Sequence, residues 1–528
     1  MFAQPALSEA LFLAEANQKA LDSTRISLQG RTLRQLREWS RREILKSARD
    51  YTEKLTGRAC DDFNDSALLF ATGHQPELYH PGVWIKNFAV SEWAKRSNGL
   101  GLNIVIDNDT LGQREISVPT GRRSHPEVTN IAFDQDVPSC PWEEAHLADA
   151  DDFQRFLKRV SEVMDAWNVD PLLNEFWPTE PIRSGQGLRD VLTASRMQLE
   201  RNWGAGNLEL PLSTVCETDP FLWFTGWVLA DPERFRQIHN QALQEFRKVN
   251  RVRSGTRPVP DLVQNGDWIE SPFWVWRAGD AQRSRVFARQ EGRETILSDG
   301  DTEFARFPLD RSMDACCAVE ALRELPKQGI RLRTRALTTT LFARLCLSDL
   351  FVHGIGGAKY DEVTDCLIAR LLGITAPKFM TLSCTLHLPL GEPFDVTESE
   401  LTQLRETQRD LQWNPERWLD GSVDPEVGQL ITRKRQLIQE HNHRQAAVGS
   451  DRQLIRRENR ERHRELRSVS DKLKQWTQLQ NERIASDIEA TEAELSANKI
   501  LKSREFPFVL YPAEMLRDFL TSTVSSDC

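Results

Sequence analysis

The sequence predicts an α/β protein built on a parallel sheet, and three observations carry that expectation. A continuous apolar run, "ALLFAT" (67–72), precedes a stretch of helical period, "GVWIKNFAVSEWAKRS" (82–97), and a second apolar run, "GLNIVIDND" (101–109), follows. Strand, helix, strand in that order is the pattern of a βαβ unit, whose strands are buried on both faces and lose simple alternation. The pattern returns at 331–389, where a helix Thr338–Leu347, a strand Leu350–His353, a glycine loop, a helix Tyr360–Leu372 and a strand near Phe379–Leu386 are expected. From Glu398 onward the texture changes to long, charged helical segments.

Taken in order, 1–65 reads as an N-terminal helical segment, with Leu33, Leu36, Trp39, Ile44 and Leu45 on one stripe of "TLRQLREWSRREILKSARDYTEKL". Residues 66–120 form the first half of the core. Residues 121–330 read as an insertion: "DADDFQRFLKRVSEVMDAW" and "DPERFRQIHNQALQEFRKVNRV" are amphipathic helices, while "DWIESPFWVWRAGD" and "RSRVFARQEGRETILSDGD" are antiparallel strands with Gly and Asp turns. Residues 331–397 complete the core.

In 398–505, Asp424–Ala447 and Arg452–Lys499 read as helices joined by a turn at Val448–Asp451. Leu466, Val469, Leu473 and Trp476 keep a 3-4 heptad spacing that slips near Gln480, which favours an antiparallel helical arm suited to dimer contact. Residues 506–528 return to the core.

A chain of 528 residues has ample length for a buried core and for about two to four domains at roughly 150 residues each. Its net charge of −10 is spread over mixed signs and does not point to nucleic acid. No run reaches the roughly 18 to 20 apolar residues of a membrane span, and the start lacks the basic region of a signal peptide, so a cytoplasmic protein is expected. The nine cysteines show no metal-type spacing and read as reduced thiols; the fifteen tryptophans read as core and pocket lining.

Ligands of an open α/β sheet bind beyond the carboxyl ends of its strands. Three segments bring polar groups there. "TGHQPELYHPGVWIK" offers Gly73, His74, Gln75, His80, Gly82 and Lys86: glycines for close backbone approach, imidazoles to stabilise developing negative charge, a lysine for an anion. The histidines also answer to a simpler account, in which they satisfy buried carbonyls in a tight loop. "DNDTLGQRE" offers Asp107 and Asp109, hard oxygen ligands for Mg²⁺ or groups to orient an amine, though Asp109 also suits a turn cap. "HGIGGAKYDE" offers Gly354, Gly356, Gly357 and Lys359 as an anion nest that lacks the full spacing of a phosphate-binding fingerprint. Arg331, Arg333 and Arg335 alternate and, if extended, project together toward a carboxylate or phosphate. "TRPVPDL", with Arg257 and Asp261, and "ESPFWVWR", with Glu270 and Arg277, are candidates for the walls of the same crevice.

The motif order resembles the bacillithiol-biosynthesis cysteine-adding enzymes. The shared features are a strand ending in Thr-Gly-His-Gln, a Gly-Pro-rich helix start with a downstream lysine, an arginine before an apolar helix and strand, "GG" at the next helix start, and a charged helical arm. Gly73, Gln75, Gly82, Lys86, Arg335, Gly356 and Gly357 are the matching positions. The chain departs from the family at "DNDT", which holds no histidine, and at "AKYD" after the glycines.

The resemblance implies a Rossmann-like core, a coiled-coil arm used for homodimerisation, and a ligase or transferase joining a cysteine-like amino acid to a small acceptor. ATP or another nucleotide, with Mg²⁺ on Asp107 and Asp109, would assist. His74, His80, Lys86, Asp107 and Asp109 are then the catalytic candidates; Gly73, Gln75, Gly82, Arg335, Gly354, Gly356, Gly357 and Lys359 are the binding candidates. Two other classes stay open: a metal-dependent hydrolase using His74, His80, Asp107 and Asp109 as ligands, and a non-catalytic coiled-coil scaffold.

Overall fold

The computed structural model describes residues 1–527 apart from 61–63, 113, 136, 179–181, 421, 423 and 446–451. The chain divides into two compact units, one of Met1–Val118, Val128–Leu388 and Arg504–Cys528, the other of Pro119–Glu127 and Pro389–Ser503.

The first unit is mixed α/β. Its main sheet runs Phe2–Gln4, Met380–Ser383, Leu350–His353, Leu69–His74, Leu100–Val105, Leu208–Pro211. Phe2–Gln4 pairs antiparallel with its neighbour and the other pairings are parallel. The register sets Gly73 opposite Ile104 and His74 opposite Val105, so the chain leaves both strands at the same end of the sheet.

Two of these strands lie where sequence periodicity points elsewhere. Phe2–Gln4 falls in the segment read as helical, and Leu208–Pro211 falls in the segment read as an insertion. Strands of three and four residues are too short to display a period, and their pairing partners are distant in sequence.

The helix Leu33–Thr56 begins with a capping box, Thr32 with Gln35, and ends at Gly57 in the left-handed region. Its arginines tie it to the sheet. Asp349 is fully buried and accepts from Arg37 Nη2 at 2.7 Å, Arg41 Nη1 at 2.8 Å and the Leu69 amide at 2.8 Å. One carboxylate thus joins a helix to the starts of two adjacent strands.

The helix expected from Tyr360 begins at Ile355, so Gly356 and Gly357 occupy its first turn instead of a loop. Glycine is a poor helix former, but first-turn N–H groups need no partner within the helix, and Arg344 and His353 anchor Asp361 just beyond. The helix expected over Thr338–Leu347 spans Ala336–Phe342 and passes into a π-helical turn, Ala343–Leu347.

Residues 264–334 supply an antiparallel sheet in the order Glu303–Pro308, Glu294–Ser298, Ser284–Glu291, Trp268–Arg277, Ile330–Thr334, with Gln264–Asn265 added to Trp268–Arg277. The helices Ala150–Asp165 and Pro232–Val249 form as expected, capped by Asp149 and Asp231. Ala513–Asp527 packs on the helix Pro81–Ser97.

Residues 398–501 of the second unit are mostly helical, while its Pro119–Glu127 belongs to the strands Glu115–Arg122 and His125–Ala132 and their turn. Glu398–Trp413 packs with Gln478–Leu501 around Leu401, Leu411, Ile484 and Ile488, and Pro425–Gln445 packs with Arg452–Trp476 around Val427, Ile431, Leu437, Val469 and Leu473. The long helix expected over Arg452–Lys499 therefore breaks at Thr477, close to where the heptad spacing slips. Trp476, the fourth residue of that spacing, is exposed. The turn expected at Val448–Asp451 lies outside the described residues. Among the described residues no helix is long and apolar enough to cross a membrane.

Replacing Asp349 by Ala would leave two guanidinium groups buried without their carboxylate, a loss of about 3–5 kcal/mol. Urea denaturation of D349A should show a large fall in midpoint, whereas removing the exposed partner in R34A should leave the midpoint unchanged.

Candidate functional site

Beyond the ends of Leu69–His74 and Leu100–Val105 the two chain segments are tied together. The Ile106 amide donates to His74 O at 2.9 Å, and Gln75 Nε2 donates to Asp109 Oδ2 at 3.0 Å. A cavity of about 280 Å³ opens here, at the small end for molecular ligands. Gln75, Asn108 and Asp109 come from the strand ends, Trp274 and Arg283 from the antiparallel sheet and its turn, and Thr334–Thr339 from the segment joining strand to helix. His239 and the loop Val259, Pro260 and Leu262 add the remaining wall.

Arg335 is the distinctive group. Its Nη1 lies 2.8 Å from the buried Glu270 Oε1, and its guanidinium stacks 4.1 Å from the Trp274 ring centroid. Its Nε and Nη2 are buried without a hydrogen-bond partner, and among the described residues no other arginine has two such atoms. Burial lowers the Arg335 pKa, with Glu270 opposing; the group remains a cation. Arg283 lies on the same Trp274, donates to Asn108 O at 2.6 Å and sits 3.3 Å from Asp109 Oδ1. Asp109 is the carboxylate of this lining and is partly exposed.

Of the sequence candidates, Gln75, Asp109 and Arg335 line this cavity. Gly73 and Gly82 serve close packing: a Cβ on Gly73 would stand 3.1 Å from Ile104 O, and one on Gly82 would stand 2.6 Å from Cys384 O.

His74 is buried and does not line the cavity. Its Nδ1 is 3.0 Å from Gln75 O, and its Nε2 is 3.1 Å from Asn87 Oδ1 and 3.2 Å from the Tyr79 hydroxyl. Burial, with Arg196 and Lys86 nearby, pushes its pKa well below the ordinary value, so the ring is neutral. His80 caps its own helix by accepting the Gly82 amide on Nδ1 at 3.1 Å, which uses the lone pair an N-cap needs. Both imidazoles thus satisfy local groups, and neither is placed to act on a ligand in this cavity.

Asp107 is fully buried and spent on the fold, accepting from the Ser213 amide at 2.8 Å, Ser213 Oγ at 2.5 Å and Arg189 Nη1 at 2.6 Å. It is therefore not available to a metal ion as the spacing suggests. Among the described residues no three His, Cys, Asp or Glu groups gather as a metal site, so the ligand set of the hydrolase reading does not assemble.

Lys86 is buried and donates to Gly73 O at 3.0 Å; burial alone pushes its pKa down to about 8. Gly354, Gly356, Gly357 and Lys359 follow the adjacent strand but do not line the cavity. Arg331 and Arg333 do meet carboxylates, those of the protein itself: Glu144 for the first, Glu143 and Glu217 for the second. Asp261 pairs with Arg247, and Arg277 is exposed.

His239, Asn108, Arg283, Thr334 and Ala336–Thr339 are cavity residues that local pattern does not single out. The apolar loop and the tryptophan-rich strand are the visible signals, and only long-range pairing places them.

A larger cavity, about 600 Å³, lies at the opposite end of Leu100–Val105 and Leu208–Pro211. Its cations Arg58, Lys95 and Arg201 stand at the C-termini of the helices Leu33–Thr56, Pro81–Ser97 and Leu188–Asn202. Cations there offset the negative poles of the helix dipoles, which accounts for them without a ligand.

No protein-family model matches the chain, and no curated protein matches it in sequence.

Lys86 yields a pH test with a definite sign. Its folded pKa, about 8, lies below the unfolded value near 10.4, so between those values the unfolded chain holds a proton that the folded chain does not. Stability relative to K86M should therefore rise as pH goes from about 8 to about 10, read as the difference in urea-unfolding free energy at the two ends.

Proposed function

We propose that the protein is a ligase or transferase that joins a cysteine-like α-amino acid to a small acceptor, with a nucleotide activating the carboxylate. The observation that carries this reading is the small cavity where Arg335, with two buried N–H-bearing atoms unpartnered, stands in one lining with Asp109. A carboxylate there supplies the acceptors that Arg335 lacks, and an ammonium group meets Asp109. A zwitterion answers both. Gln75 and Arg335, two positions of the resemblance to the cysteine-adding enzymes, belong to this lining, which further supports the reading.

In this account Arg335 orients the carboxylate, and Asp109 holds the ammonium so that the amino acid's own amine stays protonated and does not compete as nucleophile. Val259, Pro260, Leu262 and Leu337 form an apolar wall that keeps water from the activated carboxylate. The nucleotide, when bound, supplies the leaving group that makes the carboxylate reactive toward an amine.

The helix start at Gly354 suits its phosphates. It has no side-chain cap, unlike the start at His80, and nothing stands within 4 Å of where a Cβ on Gly354 or Gly356 would be. Lys359 lies in the next turn. Mg²⁺ accompanying the nucleotide takes its ligands from phosphate oxygens and water, since Asp107 is spent on Ser213 and Arg189 and Asp109 on the ammonium. The same reading takes the main sheet and its helices as a Rossmann-like core, the helices of 398–505 as a coiled-coil homodimer contact, and the cytoplasm as the compartment.

Purified full-length protein with ATP, Mg²⁺, L-cysteine and amino-sugar acceptors should release ADP or AMP in step with an amide product, measured by mass spectrometry. R335A should raise KM for the amino acid at least about tenfold, the value of a charge-assisted hydrogen bond, and leave KM for nucleotide nearly unchanged. No amino-acid-dependent nucleotide turnover with any acceptor would overturn the ligase reading.

A further inference from the structure

His239 has a fixed tautomer, and its neighbour fixes it. Asn240 Oδ1 accepts from the Leu262 amide at 2.8 Å while Asn240 Nδ2 donates to Leu262 O at 2.8 Å, so the orientation of that amide is settled by backbone on both sides. The same Oδ1 lies 3.2 Å from His239 Nδ1. An amide oxygen only accepts, so Nδ1 carries the proton and Nε2 carries the lone pair. Burial pushes the His239 pKa down to about 4, which keeps the ring neutral near pH 7. His239 is buried, lines the cavity, and among the described residues no protein group donates to Nε2.

The cavity thus presents three kinds of polar group: unpartnered donors on Arg335, a carboxylate on Asp109, and a neutral acceptor on His239. The first two match the ends of any α-amino acid. The third matches only one whose side chain carries a hydrogen-bond donor within reach, and the small volume limits that side chain to a short one.

We propose that His239 is a specificity-determining residue, whose Nε2 accepts a hydrogen bond from the thiol or hydroxyl of a short amino-acid side chain bound with its carboxylate on Arg335 and its ammonium on Asp109. This rests on the reading of the cavity as an amino-acid site. A pocket built around such an acceptor rejects the analogue lacking the donor, because the acceptor would stay buried and unpaired. His239 and Asn240 then form a unit: Asn240 holds the loop Val259–Leu262 and sets the tautomer, and His239 reads the ligand.

Isothermal titration of the full chain with L-cysteine, L-serine, L-alanine and L-2-aminobutyrate tests this, since 2-aminobutyrate replaces the thiol by a methyl group of similar size. Wild-type protein should bind cysteine or serine at least about tenfold more tightly than both apolar analogues; the better of the two donors identifies the natural side chain. In H239F that preference should fall to within about twofold while alanine still binds. H239Q, which keeps an acceptor oxygen, should retain part of the preference and decides the matter if H239F does not fold. Equal affinity of wild-type protein for all four, or a preference that survives in folded H239F, overturns the role of His239 and leaves the amino-acid reading standing. Absence of binding by any of the four overturns both.

Discussion

Buried carboxylates in the first unit are paired with arginines, and the arrangement of that unit depends on that constraint. Asp349 takes two arginines and a strand amide; Asp107 takes Arg189 and Ser213; Arg196 lies between Glu200 and Glu209; Arg344 is buried against Asp361. Removing one partner from such a set strands the other in a low-dielectric interior, so each set fixes the elements that contribute to it. Arg335 departs from this pattern. It has a carboxylate partner on one side and bare N–H groups on the other, and it does so in the lining of a cavity beyond the carboxyl ends of parallel strands.

A buried hydrogen-bonded network leads to Gln75, a residue of the cavity lining. Arg196 pairs with Glu200, Glu200 accepts from Asn87 and Trp84, Asn87 meets His74, and His74 meets the Gln75 carbonyl. Burial raises the Glu209 pKa, and the Arg196 guanidinium beside it opposes that rise. Gln75 then reaches Asp109 and closes the gap between two strand ends. The histidine that looks catalytic from its position in the loop belongs to this buried network, next to a residue of the cavity lining.

How much of this is legible in the sequence depends on the range of the interaction. The strand, helix, strand series at 67–109 and its return near 350–383 rest on local periodicity, and the structure has both. Gln75, Asp109 and Arg335 are legible as polar groups at strand ends. Phe2–Gln4 and Leu208–Pro211 are not legible as strands, because their pairing is decided by partners far along the chain. His74, His80 and Asp107 read as chemistry because a sequence shows residue type without showing which lone pairs are taken by Asn87, Gly82, Ser213 or Arg189. His239 and Arg283 carry no local mark at all; a helix and a turn bring them to a cavity whose other walls lie far away in sequence.

The central claim is that Arg335 and Asp109 face the two ends of one small zwitterion. A crystal structure of the full chain grown with L-cysteine and a non-hydrolysable ATP analogue tests it most directly. The account predicts the amino acid's carboxylate within hydrogen-bond distance of Arg335 Nε and Nη2 and its amine on Asp109. Amino acid bound elsewhere, with only water against Arg335, would contradict it.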